Sequence, residues 1–266
     1  HLSLNNMKEI LLFIISVLPV FLIGMFIYKK DKEKEPTRLL VKLFLGGFLS
    51  CVLVLIIGGL LGILFPIFSE DTSKLNLLEL FIHVFIGVAL VEEFCKWIVA
   101  YKIAYNDSNF DEIYDGILYS VFVALGFACI ENLLYVYEGG ISTGIARALL
   151  AVPGHACDGL FMGYYLGLSK IAITNNRKDL KNKNLFLSIL IPTITHGIYD
   201  YCLLSESGLL IILFFIFVVV MYIVALKRVK KVSSINKKFK YKDNYCPNCG
   251  YIVDSNYCPN CGRKNE

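Results

Sequence analysis

Long apolar runs separated by short charged stretches dominate the chain. Seven of them, at 10–28, 41–68, 77–105, 113–137, 141–172, 185–204 and 208–226, are long enough to cross a hydrocarbon layer of about 30 Å, which takes roughly 20 helical residues. In lipid every backbone N–H and C=O must find an internal partner, so the pattern predicts an all-α polytopic membrane protein of about seven transmembrane helices. The second, third and fifth runs exceed the length needed, which allows tilt. Met7 reads as a natural start, and residues 1–6 are set aside. The first run is too long, and too poor in small residues at its end, for a cleaved signal peptide.

Composition sharpens this picture. Apolar residues make up 56% of the 266 positions and charged residues 18%, with a mean hydropathy of +0.63. Soluble domains run about 45–50% apolar and about 25% charged, so a water-soluble enzyme is excluded. The net charge of +4 matters less than its placement. Lys29, Lys30, Lys32, Lys34 and Arg38 fill the first connection, and Lys170, Arg177, Lys178, Lys181 and Lys183 the fifth. Eight Lys and Arg lie within 227–242 after the last run, and the second, fourth and sixth connections are nearly bare of them. Basic loops stay in the cytoplasm, so the expectation is a multi-pass protein of the cell membrane with its N-terminus outside and its C-terminus cytoplasmic.

Charges inside spanning helices are costly and point to function, and here they are grouped. The third run carries Glu92, Glu93 and Lys96, the fourth Glu131, the fifth Arg147, His155 and Asp158, and the sixth His196 and Asp200. Interfacial aromatics set the depth: Trp97, Tyr101 and Lys102 mark one boundary, and Tyr135, Tyr137, Tyr199 and Tyr201 the other. Counting about 1.5 Å per residue, Glu92, His155 and His196 fall near the midplane and Glu131 in the outer half. His196 and Asp200 share a helix face at i,i+4, as do Glu92 and Lys96. A single buried Glu or His often serves only as an interhelical hydrogen-bonding group, and Arg147 is placed to snorkel. Transporters also bury such groups. Two histidines with several carboxylates in one layer suit Zn²⁺ and a water nucleophile better than a proton wire. The chain has no HisGluXxxXxxHis, no GlyXxxSerGly and no GlyXxxGlyAsp, the marks of other intramembrane proteases.

Glu92-Glu93-Phe94-Cys95-Lys96, Phe127 through Glu131, Pro153-Gly154-His155-Ala156 and His196 through Asp200 occur in this order in four successive runs. The pattern resembles the PrsW family of bacterial intramembrane proteases, itself distantly similar to the CAAX-processing and Abi proteases. It covers 77–204, about half the chain. Glu131 stands where the wider group has a histidine, which leaves the ligand set open. The resemblance implies an intramembrane endopeptidase acting on a membrane-embedded protein, in some members an anti-sigma factor. The expected chemistry is peptide hydrolysis by activated water, with Glu131, His155 and His196 as zinc ligands and Glu92 or Glu93 as general base. Lys96 would hold the Glu pair charged, and Asp200 would fix His196. A metal-free variant, with one glutamate and one histidine activating water, stays open. A transporter and a CAAX-type processing protease are the other readings. Placed between midplane and outer surface, the site predicts a cut near the external end of the substrate span, with Pro153-Gly154 opening the fifth helix there.

The tail brings separate chemistry. Cys246, Cys249, Cys258 and Cys261 form two CysXxxXxxCys pairs eight residues apart, the spacing of a minimal zinc ribbon with four thiolates around a structural ion. The division expected is a protease domain at 7–228, a basic linker at 229–244 and the ribbon at 245–266. The linker reads as a lipid-headgroup anchor and the ribbon as a docking module for a cytoplasmic partner, with no nucleic acid involved. The other five cysteines lie singly in apolar runs, as core residues do.

Overall fold

A computed structural model describes residues 4–235 and, in the tail, 246, 248, 249, 251, 253 and 256–264. Lys237, Lys238, Lys240 and Lys242 of the linker, together with Tyr245 and residues 1–3, lie outside the described residues.

The described chain is helical nearly throughout. Helix α1 (Leu4–Lys30) and α2 (Thr37–Leu64) lead through two 3₁₀ turns to α3 (Leu77–Ile82), a π-helical stretch (His83–Leu90) and α4 (Val91–Ala104). Helices α5 (Ile113–Leu149), α6 (Ala151–Thr174), α7 (Lys178–Leu204) and α8 (Gly208–Ile235) follow. Among the described residues, five helical stretches are long and apolar enough to cross a membrane: 6–30, 37–64, 113–174, 178–204 and 208–234. The stretch 113–174 runs through α5 and α6 and holds two of the predicted spans. Residues 77–104 stay helical but are interrupted by the π turns. Asn76 starts that stretch with a capping box, its side chain accepting from the Leu78 and Glu79 amides. Helices α2 and α8 turn bare apolar faces outward, with Ile63 and Leu209 well exposed, as lipid-facing surfaces require.

One predicted boundary moves. The fifth span was expected over 141–172, but α6 begins at Ala151. Gly140, at φ +76°, reverses the chain, and residues 141–149 fold back as a helical extension of α5. Only glycine takes that backbone conformation freely. Pro153 therefore sits in the first turn of α6, where its missing N–H costs nothing, and it does not open the middle of a span.

Helix α5 is the centre of the bundle and packs on α1, α2, α4 and α6. Between lipid-immersed helices burial of apolar area supplies little, so close approach of small residues does more of the work. Gly159, Gly163 and Gly167 line one face of α6 against Gly116, Ser120 and Ile113 of α5; a Cβ at Gly163 would overlap the Gly116 carbonyl oxygen. Gly126 similarly lets α5 meet the Phe44 carbonyl of α2. These two seams fix the level of Phe127 and Glu131 on α5 relative to His155 on α6.

Candidate active site

Four helical elements bring the buried ionisable groups into one layer. Glu92 and Glu93 occupy the first turn of α4, just past the π-helical stretch. A π turn adds a residue to the helix register and recurs at functional sites; here it sets which faces the two glutamates present. Lys96, one turn on, is wholly buried, with Nζ 2.7 Å from Glu93 Oε1 and 3.3 Å from Glu92 Oε2. The same ammonium lies 3.3 Å from His155 Nδ1 and 4.0 Å from the centre of the Phe127 ring. Lysine has only donors, so Nδ1 of His155 accepts and its Nε2 donates to Glu131 Oε2 at 2.8 Å.

His196 enters from α7. Its Nδ1 lies 2.9 Å from Glu93 Oε1, and its Nε2 3.2 Å from Asp200 Oδ2 and 3.9 Å from Glu92 Oε2. The two imidazoles meet edge to face at 5.5 Å. The i,i+4 placement of His196 and Asp200, legible in the sequence, is thus realised as a direct contact. So is the tie between Lys96 and both glutamates.

A ligand atom from each of Glu92, Glu93, His155 and His196 lies within 4.8 Å of the others. Glu131 stands one step outside this group. Besides His155 it meets Arg147, whose NH2 is 2.7 Å from the same Oε2. Arg147 was expected to snorkel at the outer interface. The reversal at Gly140 instead brings it back to Glu131 and to Asn132, whose Oδ1 accepts from Nε at 2.8 Å. Two polar partners, one of them a carboxylate, outweigh the interface for a guanidinium already inside the bundle.

The group opens on a cavity of about 400 Å³ whose polar lining includes Glu92, Glu131, Arg147, His155, Asp158 and His196. Glu93, by contrast, is fully buried behind the layer. Tyr135, Leu203 and Leu204 also line the cavity, which places it toward the end of the bundle that bears the α7–α8 connection. Thr195 and Asn132 escaped the sequence reading. Thr195 donates to Asp158 Oδ1 at 2.5 Å, and Asn132 ties Arg147 to the Ser16 carbonyl of α1. Neither carries a charge, so a search for costly residues passes over both; adjacency to His196 and Glu131 was the one signal available.

In the tail, Cys246 Sγ is 3.5 Å from Cys261 Sγ and Cys249 Sγ 3.6 Å from Cys258 Sγ, with all four within 4.8 Å. Four sulfurs held tetrahedrally at about 2.3 Å from one ion sit about 3.8 Å apart, so the cluster fits a metal. It rests against the bundle: Tyr164 of α6 and Arg228 of α8 both donate to Asn260 Oδ1, at 2.7 and 2.8 Å. Tyr251 and Val253 are buried in the same contact.

A family model described as PrsW family intramembrane metalloprotease matches residues 35–226. Protease PrsW of Oceanobacillus iheyensis is 39% identical over 217 residues, 82% of this chain and 94% of that protein. The proteins of the same name from Clostridioides difficile and Bacillus subtilis are 36% and 32% identical, covering 85% and 82% of this chain and 93% of each relative. No solved structure matches the chain significantly.

Proposed function

The chain belongs to the PrsW family of intramembrane metalloproteases, and on that premise we propose how this protease works and where it cuts. It is a multi-pass membrane enzyme acting on a substrate embedded in the same bilayer. The single observation that carries the mechanism is the convergence of Glu92, Glu93, His155 and His196 beside the cavity.

The donor set suits a divalent metal. Two imidazoles and two carboxylates are ligand types zinc takes, and Glu93 Oε2 is buried without a hydrogen-bond partner. His155, His196 and Glu93, through its Oε2, would hold the ion, which when bound would polarise water and the scissile carbonyl. Glu92, the member of the pair that faces the cavity, takes a proton from the attacking water. As the C–N bond breaks it returns that proton to the leaving amine. Glu93 holds Lys96 and His196 in place, and Asp200 orients His196 from its far side. Glu131 fixes the His155 ring through Nε2, with Arg147 balancing its charge.

The basic connections support a cytoplasmic C-terminus. With that orientation the cavity faces the external half of the bilayer, and the substrate is cut near the external end of its span. A regulator such as a membrane-bound anti-sigma factor is the substrate class this favours. The four tail cysteines bind a structural zinc in a separate ribbon, beyond a protease domain at 7–228 and a basic linker at 229–244.

Purified protein in detergent with a single-span substrate tests the mechanism. Glu92→Gln is expected to lower the cleavage rate by about 10²–10⁴-fold, and His155→Ala to lower it comparably, both without loss of the folded state. Wild-type rates in both variants would refute the assignment. Ion flux in liposomes without any cleavage would favour a transporter instead.

A further inference from the structure

The cavity beside Glu92 and His155 holds about 400 Å³, close to the volume of one turn of a helix about 10 Å wide. A substrate span therefore reaches it only if part of the surrounding wall moves aside. Much of that wall is fixed. From Gly159 onward α6 is seated on the α5 backbone by its glycines, and α2 meets the α5 backbone at Gly47 and Gly126.

Residues 141–149 are held differently. They run back along α5 from Gly140, at φ +76°, and end at Leu150, whose φ of −119° departs from the helical value of about −63°. Joints of this kind, at the ends of elements, are where hinges absorb motion. Between them Ala146 and Arg147 line the cavity, while Ile141, Ile145 and Leu149 form an exposed apolar stripe at i, i+4 and i+8, the spacing of one helix face. One side of the segment bounds the cavity and another meets lipid, so displacing it connects the two.

Polar contacts keep the segment in place. Arg147 donates to Glu131 and Asn132 at 2.7 and 2.8 Å, and its guanidinium lies 4.3 Å from the centre of the Tyr135 ring. At the second joint the closing carbonyls lack intrahelical donors, and Pro153 has no N–H to offer that of Leu149. The Tyr222 hydroxyl of α8 reaches both, 2.9 Å from the Leu150 oxygen and 3.1 Å from that of Leu149. Met221, next to it, lines the cavity, so this contact lies on the seam between the segment and α8. Gly144 meets α1 at the Ile15 side chain. Each hydrogen bond weighs a net factor of about 2–10 on an equilibrium, which makes this wall easier to open than a glycine seam.

We propose that residues 141–149 form the gate through which the substrate's span enters from the lipid, hinged at Gly140 and Leu150 and latched by Arg147 and Tyr222; this rests on the cavity being the site of peptide hydrolysis. Opening breaks the Arg147–Glu131 pair. Closure over the bound segment restores the charge balance at Glu131, which fixes the His155 ring, so the site is complete only when the substrate is seated.

A disulfide between α1 and the segment tests the gate. A Cβ built on Gly144 lies 2.5 Å from Ile15 Cγ2, hence within about 4 Å of Ile15 Cβ, a separation that disulfides bridge. Full-length Ile15→Cys/Gly144→Cys protein in detergent is oxidised and the link confirmed by mass spectrometry. Two substrates are compared, a single-span protein and a short water-soluble peptide with the same scissile sequence, and oxidised wild type sets the reference rates. The linked enzyme should cleave the span at least about tenfold more slowly, keep the peptide rate, and recover on reduction. Cleavage of the span at the reference rate by the linked enzyme would overturn the gate. So would an equal loss on both substrates, which would mean that the link distorts the site itself. If the cysteine pair does not fold or link, Tyr222→Phe decides: loosening the α8 latch should raise span cleavage about 2–10-fold with the peptide rate unchanged, and no rise would overturn the gate. Failure of the hydrolytic reading looks different, because Glu92→Gln would then cleave both substrates at the wild-type rate.

Discussion

Replacing Lys96 by methionine probes the centre of the layer. The ammonium is completely buried, 2.7 Å from Glu93 and 3.3 Å from Glu92, and it also contacts His155 and Phe127. Methionine keeps most of the side-chain volume but leaves both carboxylates without their cation. Breaking a buried ion pair by removing one partner costs about 3–5 kcal/mol, because the charge left behind stays desolvated. In a domain of this size each kcal/mol moves Tm by about 2–4 °C, so Lys96→Met should melt roughly 6–20 °C lower. Adding Glu93→Gln removes the closer orphaned charge and should recover part of that loss, with a coupling of about 0.5–3 kcal/mol between the two sites. Thermal unfolding of wild type, both single variants and the double variant in one detergent reads the whole cycle. A Lys96→Met protein melting within about 2 °C of wild type would refute the reasoning, as would a double variant no more stable than Lys96→Met. Either result would mean that the glutamates do not depend on this ammonium for their place in the core.

Gly163→Leu forces a side chain into the Gly116 carbonyl; it should separate α5 from α6 and lower Tm by more than any overpacking of about 1–3 kcal/mol allows, and a wild-type Tm would refute the close seam. Deleting 245–266 should remove one zinc equivalent by elemental analysis and leave most peptidase activity, whereas loss of all cleavage in a folded protein would make the ribbon part of the enzyme. Mass spectrometry of product termini should place the cut at the external end of the substrate span; a cut at the cytoplasmic end would overturn the outward-facing cavity.

Much of this protein is local in origin and therefore readable along the chain. The preference of a helix for lipid is a sum over its own residues, so the helical membrane architecture followed from hydropathy. The cost of a buried charge is also a property of one position, and it picked out Glu92, Glu93, Lys96, Glu131, His155, His196 and Asp200. The two cysteine pairs carry their spacing within sixteen residues. What depends on which helices touch, and at what level, came only with the tertiary structure. The reversal at Gly140 sends Arg147 back to Glu131 and draws that carboxylate out of the group of four. The π-helical stretch sets which of two adjacent glutamates faces the cavity. Ile15 and Gly144, far apart along the chain, meet only because α1 and α5 pack side by side. Small residues such as Gly126 and Gly163 decide these pairings through close backbone contact, a three-dimensional complementarity of shape that hydropathy along one chain does not contain.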